Sequence, residues 1–285
     1  MAFLLFLFLL CLMFPEITHN GIKNGLILIV NQVIPALYPF ILLTSVLKNK
    51  PQTSSKYLKI AIAFLSGYPL GAKIIAENSS KYSYLTSQEM LLLCTNPSPA
   101  FMISYVGYGC INDPIWGIMI YISVLIGNIL NLTLKILIRH LKRKTKHPKG
   151  YIEACNVYLL DSNRIINESF FTILNLSTYI LIFSVIAAFI NKIPSVNDLT
   201  KAICVGLVEM TTGIETISKL TIELEQKLLI ITGMVSYGGL SIIAQTYSMI
   251  HGSDLSIKKY MTDKAISAII AISVMYYMII IFNSY

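Results

Sequence analysis

Lys73 and Glu209 stand inside apolar stretches of this chain, each a few residues from small, turn-forming residues. Lys73 lies in Ile60–Ala76 (IAIAFLSGYPLGAKIIA), just after Gly67, Tyr68, Pro69 and Gly71. Glu209 lies in Ala202–Ser218 (AICVGLVEMTTGIETIS), just before Thr211, Thr212 and Gly213. Charges in such surroundings are costly and mark binding sites or pathways. Gly permits positive φ and Pro removes an amide donor, so both runs free backbone groups. Freed amides, a helix dipole and the Lys73 ammonium together suit an anion. The local alternatives for Lys73 are a pair with Glu77 one turn on, or snorkelling to the surface. Glu209 could bind a coupling cation or proton, pair with Lys73, or accept from freed amides.

The same device occurs twice more. Glu89–Tyr105 (EMLLLCTNPSPAFMISY) is broken at Asn96, Pro97, Ser98 and Pro99. Lys227–Tyr247 (KLLIITGMVSYGGLSIIAQTY) is broken at Ser236, Tyr237, Gly238 and Gly239, with Ser241 and Gln245 following. Gly67 and Gly206 are 139 positions apart, and Ser98 and Gly238 are 140 apart. Duplicated, interrupted apolar segments in two halves point to a transporter's binding site. Irregular backbone at membrane depth is tolerated where it lines a cavity or is buried in protein. The expected binding residues are Gly67, Tyr68, Pro69, Gly71, Lys73, Asn96, Ser98, Glu209, Thr211, Thr212, Gly213, Gly238, Gly239, Ser241 and Gln245. The plainer alternative is a set of kinks that only aid helix packing.

Composition supplies the setting. Hydrophobic residues make up 55% of the 285, charged residues 13%, and mean hydropathy is +0.69. This is a polytopic, all-α membrane protein with the lipid bilayer as its first partner. A spanning helix needs about 20 apolar residues. Candidates are Gly25–Leu47, Ile115–Ile138, Ile166–Ile190, Leu228–Ile250 and Ala265–Phe282. Met1–Phe14 lacks a basic n-region and an A-x-A site, and reads as a retained helix. The net charge of +8 sits in short loops, above all Arg139–Lys149 (RHLKRKTKHPK), so it sets orientation and does not imply nucleic acid. Five scattered cysteines and four histidines offer no disulfide framework, metal spacing or hydrolase motif. No enzyme and no cofactor is expected, the coupling ion is unspecified, and a homo-oligomer is left open.

Charge also bears on topology. Lys48, Lys50, Lys56 and Lys59 precede the Lys73 run. If that run re-enters, these lysines share a side with Arg139–Lys149, while Gly107–Asp113 lies opposite. The Glu209 run then dips from the other face, and His251–Lys264 returns to the basic side. Each half is one helix, a re-entrant hairpin, a broken helix and a further helix. Three crossings per half invert the second half relative to the first. The expected units are an N-terminal helix over 1–20, a first repeat over 21–140, a basic cytoplasmic loop over 141–164 and a second, inverted repeat over 165–285.

With these residues assembled, the chain resembles the YlbJ (SpoVV) family of sporulation integral membrane proteins, within the nucleoside-recognition or Gate domain group. The resemblance rests on Ile34–Phe40 (IPALYPF), Ser66–Lys73 (SGYPLGAK), the Asn96–Pro99 break, Gly206–Gly213 (GLVEMTTG) and Tyr237–Gln245 (YGGLSIIAQ). It runs from about Gly21 to the end. It implies an architecture similar to concentrative nucleoside transporters. It also implies movement of a small anion, dipicolinic acid, across the mother-cell-derived outer forespore membrane. Ser98, Thr211, Thr212, Ser241 and Lys73 would bind the carboxylates, and Tyr68 or Tyr237 would stack on the ring. The alternatives are another small solute, such as a nucleoside, or a non-transporting scaffold for spore assembly. The link between Leu47 and Ile60 is shorter than the resemblance leads one to expect.

Overall fold

A computed structural model describes residues 2–48, 56–79, 84–99, 101–141, 162–194 and 196–284. The described residues form helices and no strands. In chain order these are α1 (Ala2–Met13), α2 (Pro15–Leu28), α3 (Ile34–Lys48), α4 (Lys56–Ser66), α5 (Leu70–Glu77), α6 (Tyr84–Cys94) and α7 (Pro114–Leu141). They continue as α8 (Ser162–Asn191), α9 (Asp198–Val208), α10 (Met210–Lys219), α11 (Leu224–Tyr237), α12 (Gly239–Ile250) and α13 (Ile257–Asn283). Wider π-helical turns occupy Ile29–Val33 and Phe101–Ile111. Polar caps start several helices. Asn197 accepts from the Thr200 amide at 2.7 Å, and Asp113 accepts from the Ile115 amide at 2.9 Å beside Pro114.

Four of these helical stretches are long and apolar enough to cross a membrane: Pro114–Leu141, Ile165–Asn191, Leu224–Ile250 and Ile257–Asn283. They contain four of the five spans expected from the sequence. The fifth, Gly25–Leu47, falls on α2, the first π turn and α3. The outer faces of α7, α8 and α13 expose Ile129, Leu137, Phe171, Ile269 and Ile281, as a lipid-facing surface requires. The opening stretch differs from one helix over 1–20. Pro15 cannot continue the ladder of α1, and the chain bends by 107° at Phe14. Alone, α1 rises about 18 Å, against a hydrocarbon core of about 30 Å. The expected 20/21 boundary lies inside α2, which packs on α8 through Gly21 and Gly25. The basic loop at 141–164 lies almost wholly outside the described residues.

Contacts at the helix termini sort the elements to two ends of the bundle. At one end Glu89 of α6 pairs with Arg139 of α7, and Lys135 of α7 pairs with Asp263 of α13. There Gln88 exchanges hydrogen bonds of 3.2 and 3.0 Å with Ser256, and Ser87 donates to the Ser79 carbonyl at 3.2 Å. At the other end Trp116 meets Phe282 edge-on at 4.9 Å. There too Asn283 donates to Glu225 at 2.9 Å, and Lys227 to the Ser218 carbonyl at 2.8 Å. The pair α4–α5 turns back toward the Arg139 end, and α9–α10 turns back toward the Trp116 end. Gly109, Cys110, Asn191, Lys219 and Leu220 line one cavity at the Trp116 end. The turn at Gly107–Asp113 and the two flanks of the Glu209 run therefore meet at this end.

Candidate functional site

The four breaks meet in the middle of the bundle. Each joins two short helices whose inner ends abut, so the chain supplies free backbone there without exposing it to lipid. In the first hairpin Gly67 has φ of +67°, and the Tyr68 amide donates to the Asn96 carbonyl at 2.9 Å. Its tip is thereby fastened to the break of the first interrupted helix. A Cβ on Gly67 would overlap that same carbonyl. Gly71 packs against the Cys94 carbonyl one turn further on. In the second interrupted helix Gly238 has φ of +87° and ends α11. Gly239 begins α12 against the backbone of Gly206 and Leu207, so the second hairpin rests on the second break. Gly213 faces Gly206 across that hairpin.

The two tips touch. Tyr68 Oη lies 3.2 Å from Met210 Sδ. Beside this contact is a cavity of about 50 Å³. Tyr68, Pro69, Pro97, Ser98, Glu209, Met210, Thr211 and Gln245 meet in its wall, backed by apolar residues of α8 and α12. Six of the expected binding residues thus face one space: Tyr68, Pro69, Ser98, Glu209, Thr211 and Gln245. Ser241 accepts from Gln245 Nε2 at 3.2 Å and holds the amide in place.

Glu209 is 2% exposed and adopts extended backbone between α9 and α10. Its two carboxylate oxygens accept from the Thr211 amide at 3.2 Å and the Thr212 amide at 2.6 Å. Of the three roles open to it in sequence, the freed-amide role is the one observed. The carboxylate caps α10 and offsets the positive end of that helix. Lys73 departs from the expected set. It lies on the far side of α5, half-buried, with Nζ 3.4 Å from Thr172 Oγ1 of α8. The turn that precedes α5 points Tyr68 and Pro69 at the cavity, and the rotation of α5 carries Lys73 away from it.

A second cavity, of about 730 Å³, opens at the Trp116 end. Asn24, Asn31, Asn191, Thr212, Glu215 and Lys219 give it a polar wall. Tyr105 also lines it, and its hydroxyl donates to the Thr211 carbonyl at 3.3 Å. Thr211 faces the inner cavity and Thr212 the outer one. The Tyr105–Thr211 contact therefore separates the two spaces.

Sequence reasoning missed Lys264. It was assigned to a loop, yet it lies on α13 with no exposed surface. Its Nζ donates to the Thr95 carbonyl at 2.6 Å and to Asn96 Oδ1 at 3.2 Å. Asn128 Nδ2 donates to the same Asn96 Oδ1 at 2.6 Å. Asn96, expected to touch ligand, instead organises this buried polar junction. The signal was present: Lys264 opens an otherwise apolar run, six and five residues after Lys258 and Lys259, which are exposed and half-exposed.

Set beside known proteins, this chain is similar to the sporulation integral membrane protein YlbJ of Bacillus subtilis (strain 168). Identity is 23% over 328 aligned positions, covering 95% of this chain and 79% of that protein. The alignment is longer than the chain's 285 residues, so the relative carries segments that this chain lacks. No family model and no solved structure matches. The chain is a polytopic membrane protein similar over nearly its whole length to a sporulation membrane protein.

Proposed function

We propose that this protein is a transporter of a small polar solute, and that the solute is dipicolinic acid entering the developing spore across the outer forespore membrane. The observation that carries the reading is the convergence of three helix breaks on one cavity, with the fourth break packed against the second hairpin and two hairpins entering from opposite ends. A packing kink needs no such meeting point. The second helix of the first hairpin begins at Leu70 beside Pro69 in the cavity wall, so one uncapped positive helix end lies at it, while Glu209 caps the other hairpin's second helix. A scaffold would have no use for that arrangement. The breadth of the similarity to YlbJ supports a sporulation setting.

Size decides what must move. A cavity of about 50 Å³ holds a few waters and excludes an aromatic diacid. Solute entry therefore requires the tips to part. The wider cavity at the Trp116 end is the waiting room on one side, and Tyr105 with Thr211 is the barrier. Rocking of one hairpin against the other about a fixed central site is the motion that inverted repeats permit.

One observation favours a second reading. Glu209 is the charged side chain in the inner wall, and a carboxylate there repels a dianion while accepting from hydroxyls. A nucleoside fits that chemistry. Uptake of dipicolinate by vesicles containing the protein, competed by uridine, separates the two. Dipicolinate uptake that uridine leaves untouched supports the diacid. Uridine uptake that dipicolinate leaves untouched supports the nucleoside. A clean deletion giving spores of normal dipicolinic acid content would remove the diacid reading altogether.

A further inference from the structure

Lys264 places an ammonium at the broken end of α6, in surroundings made for a cation. The last carbonyls of a helix lack intrahelical donors, and they carry the negative end of its dipole. Thr95 O is such a carbonyl, and Lys264 Nζ takes it at 2.6 Å. Asn96 Oδ1 completes the pair at 3.2 Å, and Asn128 orients it from α7. The Tyr260 ring lies 6.0 Å away, at the edge of cation–π range. The Tyr260 hydroxyl is buried nearby, beside those of Thr95 and Thr246. Both of these hydrogen bonds from the ammonium go to neutral oxygens. The adjacent Asp263 is held by Lys135.

Neutral oxygens from an unwound helix end are the donor set that coordinates a dehydrated monovalent cation in broken-helix transporters. A buried polar group without a partner is costly, and several gather here. We propose that Lys264 is a tethered cation occupying a monovalent-cation site at the α6 break, so that no free sodium or potassium ion is needed there. The broken helix is then clamped to α13 by the protein's own charge. Truncating Lys264 would leave the oxygens in place and vacate the position for a free ion.

The test reads ion binding and stability in the purified, detergent-solubilised protein, so it does not depend on the solute. Thermal unfolding is followed in sodium, potassium or choline chloride at equal ionic strength, with binding of radiolabelled sodium or potassium measured alongside. The wild type should unfold at one temperature in all three salts and bind neither ion. Lys264→Ala removes the charge and makes room. It should unfold earlier in choline, regain roughly 5 °C in sodium or potassium near saturation, and bind that ion. Lys264→Met removes the charge but fills the room, and should gain nothing from either ion. Lys264→Arg should be indifferent to salt. The proposal falls if Lys264→Ala gains no more from sodium or potassium than from choline. It falls equally if that variant is unfolded in every salt, or if the wild type binds an ion that Lys264→Ala leaves unchanged. A protein that moves no solute could still pass this test, so the two readings fail separately.

Discussion

The hydroxyl of Tyr68 lies 3.2 Å from the sulfur of Met210, 142 residues away in sequence. One residue belongs to the tip of a hairpin that returns to the Arg139 end, the other to the tip of a hairpin that returns to the Trp116 end. Their meeting closes the centre of the bundle. It also makes the closure breakable, because an O–H···S contact is weak and most of the surrounding surface is apolar.

That contact can be trapped. In a cysteine-free background, Tyr68→Cys with Met210→Cys should be joined by a short bifunctional thiol reagent. The linked protein should transport nothing, and cleavage of the linker should restore it. Failure to link would mean that the tips do not meet in the membrane.

Two of the positive-φ glycines, Gly67 and Gly238, should differ in tolerance. Gly238→Ala strains the backbone, but its new Cβ meets only Ile242, nearest at 3.2 Å. About 1–2 kcal/mol is expected. Gly67→Ala adds overlap with the Asn96 carbonyl, which cannot rotate away. It should cost about 3 kcal/mol or more, as for other backbone clashes with no room to relax. Unfolding midpoints of the two variants in detergent give the order.

Glu209→Gln keeps one acceptor and removes the charge. Loss of a charge-assisted cap should lower stability by about 1–2 kcal/mol. Repulsion of a dianion at the cavity wall disappears, so apparent affinity for dipicolinate should rise while that for uridine falls. Concentration-dependent uptake of both solutes reads the sign.

Lys73→Met should change little. Lys73 reaches Thr172 at 3.4 Å and does not line the inner cavity. A long, partly exposed ammonium–hydroxyl hydrogen bond contributes about 1 kcal/mol. Apparent affinity for dipicolinate should stay within about threefold of wild type. A tenfold loss, about 1.4 kcal/mol, would show that Lys73 enters the site in another conformation of the protein.

Sidedness can be read at loops the structure describes. Single cysteines at Asn112 and Thr221 should be labelled from one side of the membrane, and one at Asp254 from the other. Labelling of all three from the same side would undo the arrangement of the two hairpins.

Much of this was written in the chain itself. Apolar runs of spanning length produce α7, α8 and α13 almost wherever they are placed, because a helix satisfies its own backbone in lipid. Gly67, Pro69, Pro97, Gly238 and Gly239 break helices for reasons local to each residue. The bend at Phe14 was also local, since Pro15 ends α1, yet the flanking apolar residues concealed it.

What only the tertiary structure decided is where charged side chains go. Glu209 had three compatible partners in sequence, and the geometry of its turn brought the Thr211 and Thr212 amides within reach first. Lys73 and Lys264 are both lysines at the margins of apolar runs. Rotation about α5 carries the first away from the cavity toward Thr172, while packing of α13 on α6 and α7 carries the second onto the Thr95 carbonyl. Helical periodicity fixes which residues share a face, but the neighbour that face meets depends on contacts between segments some 170 residues apart, such as Thr95 and Lys264.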